Sequence, residues 1–225
     1  MPHTLAFDVY GTLIDTAGVV SALAARLGDA ATTFARLWRD KQLEYSFRRA
    51  LMRRYDGGFA QCTAEALAFA CAAHGLQLDA AERAALLALY RRLPAFADAP
   101  DGLAALRAAG HRLYAFSNGL PDDLAALLGT AGLRQHFDDL VSVHEVRSFK
   151  PDPVVYAHFL DRSGARTDDT WLVSSNPFDV IGAAAAGWRT VWVSRSAAQP
   201  FDPWGIEPTL VVRRLTELPA ALPAR

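Results

Sequence analysis

The spacing of apolar residues divides the chain into three stretches. A short apolar run from Thr4 to Val9 predicts a buried strand that stops at Tyr10-Gly11-Thr12, where glycine permits a sharp change of direction. Residues 16–93 contain no convincing strand, and their apolar positions recur at helical spacing. This pattern predicts three or four helices with a break at Asp56-Gly57-Gly58. After Pro94, helical patterns alternate with short apolar runs.

The alternation after Pro94 is typical of a parallel sheet with helices on both faces. The predicted strands cover residues 112–116, 140–143, 171–173, 190–193 and 209–212, and the helices include 121–128 and 153–160. The helical stretch separates the first strand from the others. We therefore expect a Rossmann-like, doubly wound α/β core formed by residues 1–15 and 94–225, and an inserted helical cap formed by residues 16–93.

Composition narrows the class of protein. The chain is 52% hydrophobic and 21% charged with a formal net charge of -1, a balance that favours a globular protein and gives no strong attraction to nucleic acid or an anionic membrane. No apolar run approaches the ~20 residues of a membrane helix, and the N-terminus lacks the pattern of a secretory signal. We expect a cytoplasmic protein in which Cys62 and Cys71 are small buried residues rather than a disulfide pair.

Chemically capable residues follow several of the predicted strands. Asp8 follows the first strand, Ser117-Asn118-Gly119 the second, and Ser174-Ser175-Asn176 with Asp179 the fourth, while Lys150 lies downstream of the third. Because parallel α/β sheets bind ligands beyond the carboxyl ends of their strands, these side chains are expected to meet at one edge. Asp8 alone is compatible with a strand-end cap. A lysine on the same edge can hold Asp8 ionised as a nucleophile.

The order of these motifs resembles the haloacid dehalogenase superfamily. Its members carry Asp-x-x-x-Thr after the first strand, Ser or Thr after the second, Lys in a later loop and an acidic motif after the fourth. The chain has Asp8-Val9-Tyr10-Gly11-Thr12, Ser117, Lys150 and Asp179 in that order. The four motifs span nearly the whole sequence, which makes the resemblance specific.

Two departures distinguish the chain from the magnesium-dependent phosphatases of that superfamily. Those phosphatases have a second Asp two residues after the nucleophile, where this chain has Tyr10. They also place two acidic residues near the fourth strand, where the stretch from Ser174 to Asp179 offers one carboxylate. Mg²⁺ is usually held by carboxylates together with the substrate phosphate. The departures favour a reaction without a metal or another cofactor.

The segment Leu37-Trp38-Arg39-Asp40-Lys41-Gln42-Leu43-Glu44-Tyr45 resembles the part of type II 2-haloacid dehalogenases that carries their halide-facing arginine. The resemblance assigns that role to Arg39, although arginines on charged helix faces are usually solvated. Asp40 stands where the subgroup often has Gln, which adds a negative charge near an anion site. The substrate expected from this resemblance is a short (S)-2-haloacid.

The resemblance implies a covalent mechanism. Asp8 would attack C2 of the substrate opposite the halogen, and water would then attack the carbonyl carbon of Asp8. The product would be a 2-hydroxyacid with inverted configuration.

The resemblance also assigns roles to further residues. The halide would depart toward Arg39, Asn118 and Phe178. Ser117 and nearby backbone amides would hold the substrate carboxylate. Asp179 and Lys150, with Asn176 and Ser174, would activate water, and Thr12 and Tyr156 would orient the nucleophile and the lysine. Substrate size would be set by Tyr10, Leu43, Phe59 and Phe178.

Three other functions remain open from the sequence. A phosphatase with an altered site would depend on magnesium. A catalytically silent binding protein would have no need to keep Asp8, Lys150 and Arg39 together. A serine hydrolase is disfavoured because the chain has no GxSxG motif. For a small-molecule enzyme of this kind, a homodimer is the expected oligomeric state.

Overall fold

The computed structural model describes residues 2–223 and contains one six-stranded sheet in which all the strand pairings are parallel. The strand order is β3-β2-β1-β4-β5-β6. The strands are β1 (Thr4–Phe7), β2 (Arg112–Ser117), β3 (Asp139–Ser142), β4 (Thr170–Ser174), β5 (Arg189–Val193) and β6 (Leu210–Val212). The predicted α/β fold is confirmed, and β1 lies in the centre between β2 and β4.

Helices cover both faces of this sheet. The α-helices of the described chain are α1 (Gly18–Leu27), α2 (Ala31–Leu51), α3 (Gly58–His74), α4 (Ala80–Leu89), α5 (Ala99–Ala108), α6 (Pro121–Thr130), α7 (Pro153–Ser163), α8 (Pro177–Ala185) and α9 (Leu218–Ala221). Successive side chains of a strand point to opposite faces. Leu5 and Phe7 accordingly belong to one apolar cluster with α5 and α6, whereas Ala6 belongs to another with α7 and α8.

Helices α1 to α4 occupy the stretch that the sequence predicts as an inserted cap. Within it, α2 and α3 are joined by a buried hydrogen bond from Trp38 Nε1 to Thr63 O (2.9 Å). The two chain segments that connect this stretch to the sheet run side by side, because Asp15 N donates to Pro94 O (2.8 Å) and Phe96 N donates to Leu13 O (2.9 Å). The division into a core and a cap at residues 16 and 93 stays a prediction.

The first strand is shorter than predicted. It ends at Phe7 because the carbonyl of Val9 accepts hydrogen bonds from Leu13 N (2.9 Å) and Ile14 N (3.0 Å), which turns the chain away from the sheet. Gly11 adopts a positive φ of 87° in this turn, a conformation that a side chain would disfavour. The remaining predicted strands differ from the observed ones by one residue at some of their ends.

Two further observations concern the helices. Cys62 and Cys71 are buried, unbridged residues of α3, as predicted. Across residues 2–223, no helix combines the length and the apolar character that a membrane crossing requires.

Candidate active site

The carboxylate of Asp8 lies at the carboxyl end of β1 and is 7% exposed. Its Oδ2 atom accepts hydrogen bonds from Thr12 Oγ1 (2.7 Å), Asn176 Nδ2 (2.7 Å) and Ser174 Oγ (3.3 Å). Thr12 belongs to the turn after β1, Ser174 ends β4, and Asn176 precedes α8. Since β1 and β4 are neighbours, the sheet brings these predicted residues together around one oxygen.

Lys150 connects the carboxylates of Asp8 and Asp179. Its Nζ atom lies 2.8 Å from Asp179 Oδ2, 3.4 Å from Asp8 Oδ1 and 2.8 Å from the carbonyl oxygen of Phe116. The side chain is 1% exposed, and a buried ammonium group is tolerated when it is paired and hydrogen-bonded in this way. Asn118 Oδ1 accepts from the backbone N–H of Lys150 (2.9 Å), so β2 also fixes the backbone of the lysine.

The second carboxylate, Asp179, is completely buried at the start of α8. The pKa of Asp179 is raised to about 6: burial is the largest cause, the nearby ammonium of Lys150 opposes it, and the negative charge of Asp8 adds to it. Tyr156 donates a hydrogen bond to Asp179 Oδ1 (2.9 Å). A Cβ on Gly182 would overlap the Tyr156 hydroxyl, so glycine permits this close approach. Tyr156 thus binds the carboxylate that pairs with Lys150, and its role in orienting the lysine stays a prediction that would act through Asp179.

Arg39 on α2 faces the core across the site. Its Nη2 atom donates to the carbonyl oxygen of Tyr10 (3.4 Å), and Nη1 donates to Gln42 Oε1 (2.6 Å). Gln42 is buried and donates to Thr63 Oγ1 (2.6 Å) on α3. The sequence did not lead us to expect that Gln42 binds Arg39. The signal was their spacing, because residues three apart lie on the same face of a helix. Asp40 is exposed, and its carboxylate lies 3.9 Å from Arg36 Nε rather than facing the site.

Aromatic side chains close the site on the side of the helical insert. The rings of Tyr10 and Phe59 lie 6.2 Å apart, and Phe178 packs edge-on against Phe47 at 4.9 Å. Leu43 is half-buried against the cluster that contains Phe59. Burial raises the pKa of Tyr10 well above its ordinary value, so this hydroxyl stays neutral. Tyr10 therefore cannot supply the negative charge of the carboxylate that phosphatases have at this position.

Ser117 ends β2, the strand next to the one that carries Asp8, and Asn118 follows it directly. Ser117 Oγ accepts a hydrogen bond from Gly119 N (3.0 Å), which directs its own O–H hydrogen to another acceptor. Ser142 Oγ donates to Gly119 O (2.6 Å) and fixes the same turn from β3. The turn is thus rigid, and its hydroxyl and amide groups are suited to bind an anion.

The donor groups near Asp8 do not suit Mg²⁺. The two oxygens that converge beside β1, Asp8 Oδ2 and Tyr10 O, both accept from Asn176 Nδ2, at 2.7 and 3.1 Å. A cation at that point would meet an N–H donor, whereas Mg²⁺ takes oxygen ligands. Within residues 2–223, no group of three or more His, Cys, Asp or Glu side chains is placed to hold a metal.

Arg195 is a second group that the sequence analysis missed. It follows β5 and donates from Nη2 to the carbonyl oxygen of Thr12 (2.6 Å), while its Nη1 binds Asp98 Oδ1 (2.7 Å). The pair therefore braces the turn that carries Asp8 and Thr12. Its position after a strand is the signal that could have found it, because the other candidate residues follow strands at the same edge.

Comparison with known proteins places the chain in a family. The model of the haloacid dehalogenase-like hydrolases matches residues 2–187, and the chain belongs to this family. It is 40% identical over 211 residues to an (S)-2-haloacid dehalogenase of Pseudomonas sp. strain YL (94% of this chain and 90% of the relative). It is 37% identical over 214 residues to an (S)-2-haloacid dehalogenase of Pseudomonas putida (95% and 93%).

A solved structure is also similar over nearly the whole chain. The L-2-haloacid dehalogenase of Xanthobacter autotrophicus, with chloropropionic acid covalently bound, has a TM-score of 0.91 and 35% sequence identity, and 98% of each chain is covered. The suspected family and the α/β architecture of the chain are thereby confirmed.

Proposed function

We propose that this protein is an (S)-2-haloacid dehalogenase that hydrolyses a short 2-haloacid to a 2-hydroxyacid and halide. The observation that carries the proposal is the unequal binding of the two Asp8 oxygens. Three donors hold Oδ2 at 2.7–3.3 Å, while Oδ1 faces Lys150 at the longer distance of 3.4 Å. The side chain is held in place, and Oδ1 is the oxygen free to attack.

In the first step, Asp8 Oδ1 forms a bond to C2 as the carbon–halogen bond breaks on the opposite side. The electron pair leaves with the halide, which needs no proton. Arg39 and Asn118 receive the halide beside the ring of Phe178, and the hydroxyl of Ser117 with nearby backbone amides holds the carboxylate. Tyr10, Leu43 and Phe59 contact the alkyl part. The covalent chloropropionic acid in the Xanthobacter relative supports an ester intermediate.

In the second step, water attacks the carbonyl carbon of the Asp8 ester. Asp179 accepts the proton of that water, and Lys150 holds both carboxylates in position. The raised pKa of Asp179, about 6, suits a base that works near neutral pH. The bond between the Asp8 carbonyl carbon and the ester oxygen breaks, and protonated Asp179 returns its proton to that oxygen, so the 2-hydroxyacid leaves. Asp8 is regenerated as a carboxylate when its second water-derived proton passes to solvent, and C2 is inverted once.

The test is halide release from (S)-2-chloropropionate in the presence of EDTA. We expect wild type to release chloride and Asp8→Asn to lose activity by about 10⁴-fold or more, because the nucleophile is removed. Asp29→Asn, an exposed change in the helical insert, serves as the control and should match wild type.

Two results would contradict the proposal. Hydrolysis of a phosphate ester restored by magnesium, without chloride release, would identify a phosphatase. Neither activity, with wild type folded, would favour a silent binding protein. The neutral amide of Asn176 beside Asp8 Oδ2 is the observation against the phosphatase.

We also propose that the enzyme is a homodimer. Leu51 and Met52 at the end of α2 are 86% and 61% exposed, which gives an apolar surface suited to a second copy. Sedimentation velocity would distinguish a monomer from a dimer. A cytoplasmic location stays a prediction.

A further inference from the structure

A cleft of about 300 Å³ lies next to the candidate site, between the helical insert and the core. On the insert side it is lined by Phe59 and Ala60 of α3 and by Ala88 of α4. On the core side it is lined by Gly119 and Leu120, which connect β2 to α6. Asp8, Lys150 and Asp179 do not line this cleft, so the proposed reaction gives the cleft no role.

The inner wall of the cleft is shared with the candidate site. Tyr10 and Phe59, proposed to contact the alkyl part of the substrate, both line the cleft. A Cβ built on Gly119 would lie 3.4 Å from Ser117 Oγ and 3.4 Å from Tyr10 Cε2. Gly119 therefore stands between the cleft and the hydroxyl proposed to hold the carboxylate, and the missing side chain leaves that space open.

The lining of the cleft suits a hydrocarbon chain. Leu87, Leu120 and the two alanines present apolar surface beside the aromatic rings. The charged groups of the lining, Arg91 and Asp123, are 2.9 Å apart, so their charges offset each other. An alkyl chain that enters the cleft gains apolar contact without leaving an ion unpaired.

From this geometry we infer that the cleft is a binding subsite for the carbon chain of the substrate beyond C3. A substrate with its carboxylate at Ser117 and C2 at Asp8 directs its alkyl group toward Tyr10 and Phe59, and the cleft continues in that direction. The substrates therefore include unbranched 2-haloalkanoates longer than propionate. This inference rests on the proposed dehalogenase function.

The expected size of the effect follows from the burial of methylene groups. One buried methylene favours binding by about fourfold. Three additional methylenes, the difference between 2-bromohexanoate and 2-bromopropionate, have an upper limit of about sixtyfold. Because both substrates release bromide, the ratio of their kcat/KM values measures the chain-length preference and cancels the leaving group.

The experiment compares this ratio in wild type, Ala88→Trp and Ala60→Trp, with the (S) isomer of each substrate. Ala60 of α3 and Ala88 of α4 both line the cleft, and an indole side chain at either position would fill it. Two separate variants keep the test valid if one of them does not fold. The control is Ala84→Trp, since Ala84 is exposed on the same helix as Ala88 and lies outside the cleft.

We expect wild type to use 2-bromohexanoate at least as well as 2-bromopropionate. We expect the ratio to fall at least tenfold in each cleft variant and to keep its wild-type value in Ala84→Trp. An unchanged ratio in the cleft variants would overturn the inference. If the variants slowed both substrates equally, the cleft would be the route by which substrates enter the site and not a subsite for the carbon chain. A wild type that turns over bromopropionate alone would also overturn it. Bromide release from neither substrate would refute the proposed function itself.

Discussion

The two sides of the candidate site are built differently. On the core side, Asp8 is held by direct hydrogen bonds of 2.7–3.3 Å from Thr12, Ser174 and Asn176, all set by neighbouring strands. On the side of the helical insert, Arg39 reaches the core through a longer bond of 3.4 Å, and the ring of Phe59 lies 6.2 Å from that of Tyr10. The core side holds the carboxylate of Asp8 in place, whereas the insert side contributes the charge of Arg39 and the apolar ring of Phe59.

Because the two sides are built differently, substitutions on each side should affect different steps of the reaction. Changes on the core side should alter the rate of bond making and breaking, because Thr12, Ser174 and Asn176 hold the carboxylate of Asp8 directly. Changes on the insert side should alter how well the substrate and the halide are bound. The predictions below test this separation of roles.

Apart from the loss of the nucleophile in Asp8→Asn, the largest effect is expected for Asp179→Asn, which keeps the size of the side chain and removes the base. Each active site should release about one equivalent of halide rapidly, and later turnovers should slow by about 10²–10⁴-fold because the ester on Asp8 persists. Rapid-quench halide assays and intact-protein mass would detect both results. Asp161→Asn on the exposed face of α7 is the control. A slow variant without the initial burst would place Asp179 in the first step instead.

A smaller effect is expected for Arg39→Lys. Lysine keeps the charge but lacks the planar group that binds both Gln42 Oε1 and Tyr10 O. We expect kcat/KM to fall about tenfold, mainly through KM. Arg36→Lys, an exposed change one turn earlier on α2, should leave both constants unchanged. If Arg39→Lys instead lowered kcat and left KM unchanged, the two sides of the site would not have separate roles.

The smallest effect is the halving of kcat that we expect at pH 6. Burial raises the pKa of Asp179 from 3.8 to about 6, so kcat should be about half its maximum at pH 6 and should fall about tenfold per unit below that. The measurement is kcat between pH 4.5 and about 8. A profile without this inflection would remove Asp179 as the base.

The same shift predicts a change in stability. A carboxyl with a raised pKa binds its proton more tightly in the folded state than in the unfolded state. Its contribution to folding is therefore fully present below pH 3.8 and is lost as the pH rises through about 6. Denaturant unfolding of wild type and Asp179→Asn across this range isolates the effect, and parallel curves for the two proteins would contradict it.

The sequence was sufficient to predict the sheet and the residues that converge on Asp8. The carboxyl ends of parallel strands share an edge, so the positions of Asp8, Ser174 and Asn176 after strands imply proximity once the strand order is known. The hydrogen bond from Tyr156 to Asp179 could not be read from the sequence. It depends on the packing of α7 against α8, which the local pattern does not contain.

Other features could not be predicted because they depend on the direction of side chains. Asp40 follows Arg39 in sequence, yet successive helical residues point about 100° apart, and its carboxylate faces solvent. The cleft beside Tyr10 arises where α4, α3 and the turn after β2 meet, and these segments are far apart in the chain. The position of Arg195 after β5 indicates the edge of the sheet, but its partner Thr12 lies 183 residues away and is not indicated by the sequence.

The support of Arg39 has an evolutionary consequence. Arg39 binds Gln42, Gln42 binds Thr63, and Thr63 in turn donates to the carbonyl oxygen of Phe59 (2.9 Å). Arg39, proposed to meet the departing halide, and Phe59, proposed to limit the size of the substrate, are thus joined by one series of hydrogen bonds. A descendant that moved α3 to admit a bulkier acid would also displace Arg39. Adaptation of this site to new substrates would therefore require paired mutations rather than independent ones.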